Sequence, residues 1–325
     1  MPSSAVHTFT DPAEYAAAIR QGTYELTVTE PGDFIAKLTR IDLHCLSMQR
    51  FSDNLPLISH ITGWSGRAVF AFRTRSGPSL LSSGVEMLPT NIVRYNEGKS
   101  YFRRSAGSAL YGSISMPVAE IVSVGAAMAG LDLTPPEHPL ILTPLPSAMT
   151  RLQRLHAAAG QLAEDAPEII AHPEAARGLE QTVIEALVAC LDRGAADEDR
   201  VAQRHHSLVM RRFRRILEET PDQSLYITEV CKMIGVAERT LEVCCQEQLG
   251  VGPKRYLVLR RLHLVRRALR EAAPDRTTVT DIATRYGFWH FGRFAGAYRS
   301  LFGEFPSVTL HRQAEQLRNL FAENG

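Results

Sequence analysis

The pattern of hydrophobic and polar positions changes part-way along the chain. Over residues 22–116, short apolar or alternating runs are separated by turn signals such as Pro31-Gly32, Gly77-Pro78 and Asn96-Glu97-Gly98. Runs with a period of two between turn residues predict β-strands. Strands at this spacing predict a small barrel or sandwich.

From about residue 147 the apolar period becomes that of a helix. The two apolar stripes consist of Leu152, Leu155, Ala159 and Leu162, and of Leu179, Val183, Leu187 and Leu191. Two such stripes joined by a proline-containing segment predict a helical hairpin over 147–191. Either the strand-rich region or a second copy of the same helices would cover the stripes.

A polar and charged segment, 192–206, is typical of a linker, and the pattern after it predicts only helices. Within that part, a short unit occurs twice, at about 227–249 and 279–302. Each copy predicts a short helix, a glycine turn and a second helix, which is the helix-turn-helix arrangement. Thr228 and Thr280 are candidate caps for the first helix of each copy.

The tandem arrangement resembles the DNA-binding domain of the AraC/XylS family of bacterial transcription regulators. The matching residues are "RTL" at 239–241, "GVGPKRYLVLRRL" at 250–262 and "DIATRYGFWHFGRFAGAYRSLFGEFP" at 281–306. The resemblance implies two helix-turn-helix units that are joined by a connector helix and enter successive segments of the major groove. The N-terminal half is similar to that family's cupin-like sensor barrels, which carry helices used for dimerisation.

We therefore predict an α+β protein with a cupin-like β-barrel and helical hairpin followed by an all-α tandem helix-turn-helix domain. Its predicted parts are a sensor and dimerisation region at 1–191, the linker at 192–206, the DNA-binding domain at 207–310 and a tail at 311–325. The implied partners are double-stranded promoter DNA, an unknown small-molecule effector, a second copy in a homodimer and, for an activator, RNA polymerase. The alternative function is an enzyme barrel with an appended DNA-binding domain.

The charge distribution agrees with a polyanionic partner for the C-terminal part. Residues 207–325 contain 19 Lys and Arg against 13 Asp and Glu, and residues 1–206 contain 17 against 22. The C-terminal part is therefore net positive and the N-terminal part net negative, although many domains that bind no nucleic acid are equally basic.

The candidate DNA contacts lie at the start of the second helix of each unit, because that end of a recognition helix faces the base edges. They are Glu238, Arg239 and Glu242 in the first unit, and Trp289, His290 and Arg293 in the second, with Arg299 on the phosphate backbone. The first unit has Ala237, Val243 and Cys245 where the family usually has serine, a basic residue and an aromatic residue. We expect that unit to bind more weakly or to bind a different sequence.

Two glycines within the last unit, Gly292 and Gly296, require an explanation, since a glycine costs about 1 kcal/mol in a helix interior. Close approach to a phosphate backbone and tight helix packing both account for them. In the strand-rich half, six rings would give an apolar, aromatic-lined interior if half of them face inward, or would simply fill the core. These rings are Trp64, Phe70, Phe72, Tyr95, Phe102 and Tyr111.

Other chemistry has little support in the sequence. The histidines His7, His44, His60 and His138 are isolated, so we expect no metal site, and no motif predicts a catalytic residue or a cofactor. The adjacent Cys244 and Cys245 are either buried small side chains or a redox sensor. Scattered cysteines, no secretory pattern and no long apolar run together predict a cytoplasmic protein that does not cross a membrane.

Overall fold

The computed structural model divides into two compact units. The first contains Met1–Leu26 and Phe34–Val201, and the second contains Thr27–Asp33 and Ala202–Gly325. The structure describes residues 1–20, 22–63, 65–192, 195–196, 201–220 and 223–312. About half of the expected linker and nearly all of the expected C-terminal tail lie outside these residues.

The first unit is built on two sheets. The described strands are β1 (Ser3–Phe9), β2 (Gly22–Val28), β3 (Ala36–Asp42), β4 (Ser47–Asp53), β5 (Leu57–Gly63), β6 (Arg67–Arg73), β7 (Leu80–Ser82), β8 (Val85–Glu86), β9 (Ile92–Tyr95), β10 (Ser100–Ser105), β11 (Ala109–Pro117), β12 (Leu140–Thr143) and β13 (Ala195–Ala196). The larger sheet has the order β1-β3-β4-β11-β6-β9-β12-β13, and the smaller has β2-β5-β10-β7-β8. The central strand β11 pairs antiparallel with both β4 and β6.

Five helices belong to this unit. They are α1 (Pro12–Ala18), α2 (Val118–Ala129), α3 (Pro146–Asp165), α4 (Pro167–Ala171) and α5 (Pro173–Asp192). The predicted helical hairpin corresponds to α3 and α5, with the short α4 between them. Proline at the first position of α3 is well tolerated because that residue has no intrahelical acceptor for its missing N–H.

One face of the larger sheet carries the hydrophobic core of this unit. Phe70, Phe72 and Ile114 pack there with Leu152 of α3 and Leu187 of α5. Successive side chains of a strand point to opposite faces, so the intervening residues of the same strands lie on the other side of the sheet.

The apolar stripe of α5 therefore packs on the sheet. Val183 and Leu187 are completely buried within the chain's own core, and Leu191 is nearly so. Of the two partners that the sequence left open for this stripe, the structure shows the sheet. An arginine at position 187 would place a charge in this core, so a homodimer, which stays a prediction, would have to use other residues.

The second unit is helical in its described part. Its helices are α6 (Val201–Glu219), α7 (Ile227–Ile234), α8 (Glu238–Leu249), α9 (Pro253–Glu271), α10 (Val279–Arg285) and α11 (Phe291–Phe302). The predicted combination of a strand-rich N-terminal region and a helical C-terminal region is confirmed. The cupin-like designation of the barrel stays a prediction.

The connector helix α9 buries the face that the sequence predicted. Its buried apolar side chains include Tyr256, Leu259, Leu262, Val265 and Leu269. Arg260 differs from the prediction, because the sequence placed it with the outward arginines and the structure buries it to 1% exposure. A periodic pattern cannot distinguish a buried arginine from an exposed one.

Glycines close the turns between the helices of each pair. Gly235, after α7, and Gly287, after α10, both adopt positive φ values, 77° and 76°, which glycine tolerates without steric cost. The predicted caps are wrong. Helix α10 is capped by Thr278, whose hydroxyl accepts from the N–H of Asp281 at 3.1 Å, and α7 begins at Ile227, before Thr228.

Candidate nucleic-acid interface

The start of α11 presents an exposed cluster of rings and charge. Trp289 is 74% exposed and Phe291 is 42% exposed. His290 is the N-cap residue, and its ring centroid lies 3.3 Å from that of Trp289. Arg293 lies on the surface less than one turn further along the helix. Because large rings held in water cost hydrophobic free energy, such a cluster is typical of a binding surface.

The other rings of the same stretch belong to the core. Tyr286, Phe294 and Tyr298 are buried, and Phe288 packs against them from the turn. Phe294 holds the middle of α11, with its ring centroid 4.9 Å from that of Phe288. The buried rings therefore fix the helix so that Trp289 and Phe291 remain outside.

The two unexplained glycines lie on the exposed side of α11. A Cβ atom built at Gly292 or Gly296 has no described atom within 4 Å. Tight packing within the described part of the chain is therefore not their reason. The other explanation, close approach of an external surface, is the one that the structure leaves.

The start of α8 is different, because its carboxylates have partners within the chain. Glu238 forms an ion pair with Lys254 at 2.6 Å, and this pair raises the pKa of the lysine. The carboxylate of Glu242 lies over Gly252, where a Cβ atom would come within 2.2 Å of it. Arg239 is exposed and, among the described residues, forms no ion pair. Of the three contacts predicted for this helix, only Arg239 is free to reach a partner.

The cysteines of α8 are core residues. Cys244 and Cys245 are completely buried, and the Cys245 thiol lies 3.9 Å from the sulfur of Met210. Burial raises the pKa of Cys244 to about 11 and that of Cys245 further. A thiol that remains protonated and inaccessible is unreactive, so the buried-side-chain interpretation holds. At the neighbouring position, Val243 is 43% exposed and offers no charge.

The arginines of α10 and α11 are on the surface. Arg285 and Arg293 are exposed, and the guanidinium of Arg299 lies 4.7 Å from the ring centroid of Phe305. Stacking on a ring orders a guanidinium while leaving its N–H groups available.

An arginine that the sequence did not single out connects the two helix pairs. The Arg261 guanidinium of α9 lies 5.3 Å from the Tyr226 ring and 5.1 Å from the Phe288 ring. Tyr226 also closes on the second turn, because a Cβ atom at Gly287 would lie 2.7 Å from its hydroxyl. In a helix with many arginines, no sequence signal distinguishes Arg261.

The rings of the first unit do not form the apolar interior that we expected. Phe70 and Phe72 face the helices, on the core side of the larger sheet. Tyr95 and Tyr111 are on the opposite face, with polar neighbours such as Ser113 in their strands. Trp64 lies outside the described residues.

Two searches of the described residues found no candidates. No group of three or more His, Cys, Asp and Glu side chains is arranged to hold a metal ion. No described helix is long and apolar enough to cross a membrane.

Comparison with known proteins identifies the C-terminal domain. Residues 230–312 match the model of a helix-turn-helix domain. A probable AraC family transcriptional regulator of known structure from Rhodopseudomonas palustris is 31% identical, over 32% of this chain and 95% of that one, with a TM-score of 0.29. The chain belongs to the AraC/XylS family.

Curated members of the AraC/XylS family match the same region. The probable thc operon regulatory protein of Rhodococcus erythropolis is 43% identical over 94 residues, which is 29% of this chain. The XylDLEGF operon transcriptional activator 3 of Pseudomonas putida is 36% identical over 97 residues, 30% of this chain. The matches span 28% and 29% of those relatives' own lengths, so the likeness concerns the helix-turn-helix region.

Proposed function

We propose that the protein is a transcription regulator that binds promoter DNA through α8 and α11. The observation that carries this proposal is the exposed cluster at the start of α11, in a domain of the AraC/XylS family. The surface combines rings, a guanidinium and small residues, which suits a DNA groove better than it suits another protein.

The side chains divide into two kinds of contact. Arg293 is the base reader, because an arginine near the start of a recognition helix can bind guanine through two hydrogen bonds. Trp289 and Phe291 pack against base edges or sugars, and His290 reaches a base or a phosphate. Arg299 and Arg285 contact phosphates and fix the position of the helix.

The small residues of α11 suit the same partner. Without a side chain, Gly292 and Gly296 allow the sugar-phosphate backbone to come close to the helix axis. A Cβ atom there meets nothing in the described part of the chain. The cost of two helical glycines is therefore offset by contact with DNA.

The first unit provides regulation in this proposal. Its interior binds a small-molecule effector, and the protein acts as a homodimer. The names of the curated relatives are those of an operon regulator and a transcriptional activator, which supports activation with RNA polymerase as a further partner. Those names also support a regulator over an enzyme barrel.

The test is fluorescence anisotropy of the full chain on labelled DNA from beside its own gene. We expect a specific complex whose affinity falls steeply as salt rises, since each neutralised phosphate releases counterions. An unrelated duplex of equal length is the control. Equal affinity for both duplexes, or an affinity independent of salt, would contradict the proposal.

A further inference from the structure

A buried guanidinium lies on the inner face of the first unit's smaller sheet. Arg103 of β10 is only 5% exposed. Its Nη2 donates to the Tyr111 hydroxyl at 2.5 Å, and its guanidinium carbon lies 3.9 Å from the centre of that ring. Tyr24, Tyr95 and Tyr101 are close enough to interact with its charge. Tyr111 belongs to the larger sheet, so both sheets contribute to this cluster.

The nearest acid does not neutralise this cation. Asp53 of β4 is 3% exposed, and its Oδ1 is buried without a hydrogen-bond partner. Burial raises the pKa of Asp53 to about 7, although the Arg103 charge acts in the opposite direction. The Asp53 carboxyl group is therefore protonated in part of the molecules at neutral pH. Within the described residues, no carboxylate forms an ion pair with Arg103.

The two faces of the larger sheet show how unusual this arrangement is. The helix-covered face is filled with hydrocarbon, including Ile92, Ile114 and Met116. A region needed only for packing would be filled in the same way, because burying a charge costs more than the charge returns in stability. A buried charge with one ring hydroxyl as its hydrogen-bond partner indicates a binding site.

Flat surfaces border the guanidinium on two sides. Phe51 and Tyr111 are stacked, with centroids 4.4 Å apart and planes 11° apart. Tyr95 and Tyr101 are also stacked, at 4.0 Å and 13°. Ring faces of this kind favour a flat, unsaturated molecule.

We propose that the space between the sheets binds a small organic acid, with its carboxylate on Arg103 and a flat body among the tyrosine rings. The guanidinium matches a carboxylate because its parallel N–H groups donate to both oxygens. The unpartnered Oδ1 of Asp53, when protonated, donates a hydrogen bond to the same carboxylate. A phosphate dianion would require more than one cation, and a metal ion would be repelled by this one. That such a molecule serves as the effector rests on the proposed function, whereas its binding does not.

The experiment is isothermal titration calorimetry of the full chain without DNA, which separates ligand binding from the proposed regulation. The probes are benzoate, phenylacetate and cinnamate, each with its uncharged amide as a control of the same shape. We expect at least one acid to bind and its amide to bind ~100-fold more weakly, because the amide leaves the buried cation unpaired. The proposal fails if none of the three acids binds, or if acid and amide bind equally.

Substitutions on opposite faces of the β-structure test the site itself. Arg103→Lys keeps the charge but loses the paired N–H groups, so the acid should bind about tenfold more weakly or worse. Arg50→Lys makes the same change on the helix-covered face, where Arg50 donates to the Ala157 carbonyl at 3.3 Å, and should leave binding unchanged. Equal effects of the two substitutions would contradict the assignment.

A charge-free variant addresses folding. Arg103→Gln combined with Asp53→Asn keeps hydrogen-bonding groups of similar size and removes both ionisable groups. We expect its melting temperature to equal or exceed that of the unchanged protein, and its acid binding to be lost. A large fall in melting temperature would assign Arg103 and Asp53 a structural role, and retained acid binding would place the site elsewhere.

Discussion

The second helices of the two helix pairs share a backbone arrangement and differ in what they offer to solvent. Helix α11 begins with exposed Trp289 and Phe291, followed by exposed Arg293. Helix α8 begins with Glu238, which is paired with Lys254. Turn and packing therefore position a helix for DNA, but free side chains decide whether it can read a sequence. We expect α11 to determine most of the specificity.

The largest difference should appear when one arginine is removed from each helix. Arg293→Ala should lose about 1–3 kcal/mol of discrimination at one or two base pairs, because a bidentate contact is lost. Arg239→Ala should lose less, since its helix offers no other free polar reader. Competition binding against single-base variants of the operator measures both effects.

Arg299→Ala is the control for position on α11. Its guanidinium is directed along Phe305, so its loss should weaken all sequences alike. A uniform loss from Arg293→Ala, or a larger base-specific loss from Arg239→Ala, would reverse the ranking of the two helices.

The glycine face of α11 should respond in opposite directions in two assays. Gly296→Ala should stabilise the helix by up to about 1 kcal/mol, since alanine has the higher helix propensity. It should also weaken DNA binding about tenfold, because the added methyl group would meet the approaching backbone. Thermal unfolding and anisotropy of one preparation provide both measurements.

The matched control for this glycine is on the other recognition helix. Glu247→Ala changes an exposed position of α8 and should leave DNA affinity nearly unchanged. If Gly296→Ala is stabilising and binds DNA normally, the close-approach explanation of the glycines is wrong.

The caps of the two pairs should differ by about 1 kcal/mol. Thr278→Ala removes the hydroxyl that accepts from Asp281 and should destabilise α10 by that amount. Ala237→Ser introduces a cap where α8 has no side-chain cap, and should stabilise that helix by a similar or smaller amount. Hydrogen exchange localises each change to its own helix, and an unchanged α8 after Ala237→Ser would show that its start is already satisfied.

The smallest effect should come from the exposed ion pair of α8. Glu238→Gln should change stability by a few tenths of a kcal/mol, because exposed pairs contribute little. By releasing Lys254 it should slightly tighten binding to all DNA sequences. Glu219→Gln, in the exposed Arg215 pair of α6, is the matched control, and an equal gain there would indicate a general charge effect.

The helical half was accessible from the sequence because its signals are local. Turn glycines and apolar spacing predicted helix pairs at 227–249 and 279–302, where the four helices lie. The same spacing identified Phe294 as buried. It could not predict that Glu238 would pair with Lys254, since they lie on different helices and charge pattern alone assigns no partners.

The strand-rich half was accessible only in outline. Alternation shows that Phe70 and Phe72 share a face, but it does not show which face meets the helices. Arg103, Asp53 and Tyr111 come together only through the sheets that bring β4, β10 and β11 into proximity. Sequence reasoning therefore counted rings and missed the buried cation among them.

The contact of Tyr226 with the turn at Gly287, closed by Arg261, makes the two helix pairs a ruler. A ruler has one length, so the two DNA segments read by the protein must be separated by one spacing and one helical phase. Inserting a single base pair between them moves the second segment by ~3.4 Å along the axis and rotates it about one-tenth of a turn. Such a ruler holds at most one segment in register after that insertion, and promoters controlled by this protein should vary in base identity far more than in spacing.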